Sequence, residues 1–204
     1  VLADGSKTIG NVQVKGKNHN TNDVVATFAI AQGAQVQGNF ELSTGEIDID
    51  SDNATIHGDI NVSGDADLAV EGNLAVQGVE VKGGVFSMDS GTLTFVAPLT
   101  RADEETPDIT IGNGKFFVAK DAGIVSNWVD FTGGEFNSFG TLDIEKMTVA
   151  ENKGNTQTVN FKGGKADIAN LKVEASGTAP VGIANDADVT IGNVTVTGTS
   201  STAI

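Results

Sequence analysis

The 204-residue sequence contains no cysteine and no tyrosine, one tryptophan (Trp128), one arginine (Arg101), two histidines and three prolines. Without cysteine neither disulfides nor thiolate metal sites can form, so stability has to come from packing and hydrogen bonds. A single arginine leaves the chain poor in the usual clamp for carboxylates and phosphates. Bases are scarce as well: 27 acids face 12 bases, a net charge of −15. That balance repels phosphate backbones and anionic lipid surfaces, so nucleic acid is not expected as a partner. No apolar run approaches the roughly eighteen residues of a membrane helix, and no membrane insertion is expected. Val1 to Gly5 carries no basic region and no apolar run, so no signal peptide is expected there.

What the sequence does contain is short alternation and turn residues. Hydrophobic residues make up 39% of the chain, with ten phenylalanines and 26 glycines, enough to build a core from short strands joined by tight turns. Helical periodicity is nearly absent. Period-two stretches recur instead, as in Glu46-Ile47-Asp48-Ile49-Asp50, Asp59-Ile60-Asn61-Val62 and Thr92-Leu93-Thr94-Phe95, which predicts strands throughout.

Internal repetition separates a solenoid from a sandwich or barrel. Thr8 to Gly16 matches Thr190 to Gly198 at seven of nine positions, and Thr-Ile-Gly-Asn recurs at Thr110 to Asn113. The Gly-Asn pairs of the repeat copies begin at 10, 72, 112 and 192, separated by 62, 40 and 80 residues, while Gly38-Asn39 falls outside this register. These spacings are close to multiples of twenty, about the contour of one β-helix coil. Pairs of glycines at 83–84, 133–134 and 163–164 supply the positive φ of a sharp corner. The strand pairs around Ile144 and Met147, Ile168 and Leu171, and Val189 to Val196 suggest rungs of somewhat irregular length. The expected fold is all-β: a right-handed parallel β-helix of about nine rungs of roughly twenty residues, stacking to ~45 Å. It is expected to form a single domain over residues 1–204, with protruding loops near 15–23 and 100–108.

Gly- and Asn-punctuated strands such as Ile9 to Val14 and Gly91 to Phe95, together with missing cysteine and few aromatics, resemble the passenger domains of bacterial autotransporters and related surface adhesins. The resemblance is one of style across essentially the whole chain. It implies a right-handed β-helix exported to the bacterial surface and extracellular in location.

Candidate chemistry is sparse. His19 lies in a polar stretch and His57 precedes Gly58; neither carries a motif that would mark it as a catalytic base. Many parallel β-helices cleave polysaccharides, but the lone Arg101 falls in an acidic stretch and Ile56-His57-Gly58-Asp59 only faintly echoes a hydrolase turn. Fold alone does not establish such an activity. The sharpest local cluster is Asp48, Asp50 and Asp52, followed by Asp59. Alternating carboxylates could turn toward one Ca²⁺, a cation that takes six to eight oxygens. The competing account is a strand with Asp48 and Asp50 outward, ending in an Asp-Asn turn, and it is favoured. No other cofactor is expected.

The expected function is non-catalytic: an exported structural and adhesive segment that contacts a host or neighbouring cell, matrix or glycan. One alternative is a subunit of a self-assembling extracellular filament, stacked end to end, since an open solenoid end exposes strand edges. The other is a β-helical polysaccharide lyase or hydrolase.

Overall fold

The computed structural model describes residues 7–8, 12–15, 26–30, 34–96, 106–150, 158–175 and 181–198. Before residue 34, and at Asp52, Thr158 and Ala175, the description is of the backbone alone. Every regular element among these residues is a strand. In chain order they are β1 (Lys7–Thr8), β2 (Val12–Lys15), β3 (Ala26–Ile30), β4 (Gln35–Val36) and the long, repeatedly turning β5 (Phe40–Val81). There follow β6 (Val85–Met88), β7 (Gly91–Phe95), β8 (Ile109–Ile111), β9 (Lys115–Val118), β10 (Ala122–Phe131) and β11 (Glu135–Ser138). The last are β12 (Thr141–Val149), β13 (Thr158–Phe161), β14 (Gly164–Ala175), β15 (Val181–Ile183) and β16 (Ala187–Gly198).

All the strand pairs are parallel, and they link residues 18 to 31 positions apart rather than neighbours in a hairpin. Parallel pairing at that separation requires the chain to return to the same place once per coil, so the fold is a β-solenoid as expected. It has about six turns over residues 35–197, where about nine rungs over the whole chain were expected. Three ladders run along it. On the first face, Leu68, Phe86, Phe116, Phe136, Val159 and Val181 lie in direct register. On the second, the register passes through Leu74, Leu93, Ile124, Leu142, Ala166 and Val189. On the third it passes through Val79, Ile109, Val129, Met147, Leu171 and Val194. Toward the N-terminus, the pairs Lys7↔Gln35, Val36↔Ile56 and Val12↔Phe40 extend the stack.

Alternation decides what fills the coil. Along β8 and β9 every second side chain is buried, Ile109, Ile111, Phe116 and Val118, and the neighbours, Phe117 included, are not, because successive residues of a strand face opposite sides. The inward set forms one continuous core from Ala34 to Val181. Phe86 stacks on Phe116 at 4.7 Å and Phe116 on Phe136 at 5.6 Å. Both are offset-stacked separations that add to area burial. At the last coil Val194 and Val196 are each 47% exposed, although they are in register with the buried Leu171 and Val173.

Corners need special backbone. Gly84, Gly134 and Gly164, the second members of the glycine pairs, all have positive φ. A Cβ at Gly134 would run into the carbonyl oxygen of Gly114 on the neighbouring coil. The Gly-Asn pairs behave differently. Gly72-Asn73 turns between the first and second faces, Gly112-Asn113 between the third and first, and Gly192-Asn193 lies between second- and third-face residues of β16. Their spacing near multiples of twenty therefore does not mark one structural position. The cause is variation in coil length: Val79 pairs with Ile109, 30 residues on, whereas Ile109 pairs with Val129, 20 residues on. The extra residues fall between Val96 and Thr106. The expected loop near 15–23 lies outside the described residues except Lys15, and that near 100–108 lies outside them except for residues 106–108.

Candidate functional site: a polar column and groove on the third face

Where the second face turns into the third, one residue per coil stands just before the buried ladder. Trp128, Lys146, Asn170 and Asn193 are in direct register on β10, β12, β14 and β16. Asp108 precedes Ile109 as Trp128 precedes Val129, and its backbone N–H donates to the Trp128 carbonyl at 2.9 Å. Five levels at the rung spacing give a column on the order of 20 Å long. Alongside it, the outward side chains of the third face run Glu80, Thr110, Asp130, Thr148, Lys172 and Thr195, also in register. Between column and face lies a groove of about 760 Å³, which begins near Asp59 and Gly78 and reaches Asn193 and Thr195.

The groove's side chains are held in place. One carboxylate oxygen of Asp108 accepts from the Ser126 hydroxyl at 3.1 Å and from the backbone N–H groups of Asn127 and Trp128 at 2.6 and 3.3 Å. An ionised acceptor taking several donors makes strong bonds, so Asp108 shapes the turn that carries Trp128. The indole N–H donates to the Thr148 hydroxyl at 3.2 Å, and the Lys146 ammonium sits 3.7 Å from the ring centroid, a cation–π distance. Further along, Asn193 donates its amide to Asn170 at 3.1 Å, and Asn170 donates to the carbonyl and carboxylate of Glu145 at 3.2 Å each. Beside the groove, the carboxyl of Asp130 titrates above the ordinary carboxylate range. Partial burial is the main cause; Lys146 opposes it, Glu174 adds to it and Lys172 opposes it.

The sequence-predicted residues are not gathered here, with one exception. Asp48 and Asp50 stand outward on β5, between the buried Ile47, Ile49 and Ser51 and paired with β3. Asp59 lies at the start of the groove, its backbone N–H donating to the Asn39 side chain at 3.0 Å. The side chain of Asp52 lies outside the described residues. Among the described residues no three acids or histidines form a group that could hold a metal. Asn53 has φ of 54°, the left-handed conformation that asparagine tolerates. It accepts from the Asn73 amide at 3.0 Å, so this part of the acidic stretch is a corner with an asparagine ladder. His57 is half-buried on β5 and has no hydrogen-bond or ion-pair partner among the described residues. A base of the triad type is normally oriented by such a partner. Arg101 and His19 lie outside the described residues.

Sequence reasoning noted Trp128 only as the sole tryptophan and did not single out Asp108, Asn170 or Asn193. A signal existed. The strand pairs with Ile168 and Ile191 place an asparagine at the same step, in Ala169-Asn170-Leu171 and Gly192-Asn193-Val194.

No family model matches the sequence, and no curated protein or solved structure matches it either.

Proposed function

We propose that the chain is a non-catalytic structural and adhesive segment of an exported bacterial surface protein, and that it makes contact through the side of its coil. The observation that carries this is the column from Asp108 to Asn193, an outward row that runs over five successive levels of a parallel stack. A solenoid face presents the same step again and again, which suits an extended partner better than a small substrate. The resemblance in style to autotransporter passengers agrees with display outside the cell. Beads coated with the purified chain are expected to adhere to cells, matrix or immobilised glycans. Uncoated beads should not adhere, and soluble polysaccharides incubated with the protein should release no new reducing ends. Steady release of reducing ends would overturn the proposal in favour of a lyase or hydrolase.

A second reading, end-to-end assembly into filaments, draws on one specific observation. Ile183, Val194 and Val196 are exposed on the last described coil, and β16 has a strand partner on one side only among the described residues. An open strand edge of this kind templates pairing. Electron microscopy of the purified protein distinguishes the two readings, with short monodisperse rods counting against filaments.

A further inference from the structure

We infer that the groove on the third face binds a single extended chain of an uncharged polysaccharide, with Trp128 as its stacking platform. The inference rests on the contact function proposed above and names the partner's chemistry.

Period comes first. Each level adds ~4.8 Å, close to the length of one pyranose unit in an extended chain, so successive sugars would meet successive members of the column. The platform is the second point. The phenylalanines Phe86, Phe116 and Phe136 are fully buried, whereas the only tryptophan lines an open groove. Its position is set before any ligand arrives, by Asp108 at the backbone, Thr148 at the indole N–H and Lys146 at the ring. A prearranged side chain loses little freedom on binding, and an amphipathic ring suits a sugar, which shows C–H on its faces and hydroxyls at its rim. Third, the column above Trp128 is amide-rich. A primary amide carries two donors and a two-lone-pair acceptor, so Asn193 can serve a hydroxyl as donor or acceptor while keeping its bond to Asn170. Asn170, whose donors go to Glu145, keeps one lone pair to accept a hydroxyl.

Charge selects the class of glycan. The groove is lined by the carboxylates of Asp59, Glu80, Asp108 and Glu145 against the ammonium groups of Lys146 and Lys172. Lys172 is bound to Glu174 at 2.6 Å, and Glu80 to Lys82 at 2.8 Å. On a chain of net charge −15, such a groove repels polyuronates, sulfated glycans and nucleic acids.

Because Trp128 is the only tryptophan, its fluorescence reports on this site alone. Titration with cellohexaose, xylohexaose and the hexamer of N-acetylglucosamine should give a saturable change with at least one of them, tightening from trimer to hexamer. Replacing Asn170 or Asn193 by alanine should weaken that binding ~5-fold each, the effect of one hydrogen bond. Trp128→Ala, followed by calorimetry, should weaken it ~10-fold or more. Trp128→Phe, which keeps a ring, should retain part of the affinity and guards against a folding defect in the alanine variant. No saturable change with any neutral hexamer would overturn the inference, and so would equal or tighter binding of a galacturonate hexamer. Bead adhesion separates the two levels. Adhesion that survives Trp128→Ala sinks the groove but leaves the contact function standing. Absence of adhesion by the unmodified chain sinks the contact function itself. Adhesion that is lost in Trp128→Ala and competed by the neutral hexamer supports both.

Discussion

The first and third faces of the coil are both built of parallel strands, yet they use aromatic residues differently. On the first face an inward stack of rings runs from Phe86 through Phe116 to Phe136, while Phe117 faces outward beside Phe139. On the third, the interior is mostly aliphatic, with Val79, Ile109, Val129, Met147 and Leu171 buried alongside the single ring of Phe131, and Trp128 stands outside at the corner. Phenylalanine has no polar atom and loses nothing when fully enclosed. Tryptophan carries an N–H that needs a partner, and at the corner that N–H reaches Thr148. The lesson is that a solenoid interior selects for shape and dryness. Outward side chains away from the glycine corners are less constrained, and recognition can be written there without disturbing the stack.

Breaking the interior ladder should have the largest effect. Phe116→Ala opens a hole between two stacked rings and is expected to cost ~3–5 kcal/mol. Trp128→Ala should cost clearly less, since its side chain is only partly buried. Chemical denaturation of the two variants side by side checks the order, and a reversal would contradict the contrast between the faces. Next in size is Gly134→Ala at the corner between the third and first faces. With φ of 83° and the Gly114 carbonyl in the way, a loss of about 2 kcal/mol or more is expected, and thermal unfolding measures it.

A smaller effect of opposite sign is expected at Ser138, which is buried in the first-face ladder between Val118 and Phe161. Its hydroxyl has no hydrogen-bond partner among the described residues. Ser138→Val should therefore raise stability by ~1 kcal/mol, because a buried unpaired hydroxyl carries a desolvation cost. Smallest is a pH effect beside the groove. Asp130 titrates above its ordinary value, chiefly through burial, so the folded state holds this proton more tightly than the unfolded chain. The resulting stability is present at low pH and is lost as pH rises from the ordinary carboxylate value through the raised one. Asp130→Asn should remove that small decline, measurable as a flatter dependence of unfolding midpoint on pH in the acidic range.

Much of this fold could be read along the chain. The glycine pairs do form corners with positive φ at Gly84, Gly134 and Gly164. The related strand pairs are in true register: Ile144 beside Ile168 beside Ile191, and Met147 beside Leu171 beside Val194. The Gly-Asn pairs were a poorer guide. Glycine and asparagine suit any tight corner, and a coil lengthened between Val96 and Thr106 shifts everything after it. The groove was scarcely legible, because its members are about twenty residues apart and each is unremarkable alone.

Alternation and turn residues, by themselves, determined that this chain forms short strands, each with one apolar side to hide. Those are local properties, set by side-chain direction and backbone sterics. Which residues stand above one another was decided only by the tertiary structure, because the length of each coil sets the register of the next. Through that register a lone tryptophan, a lysine and two asparagines, unrelated along the sequence, become a single column with a groove at its side.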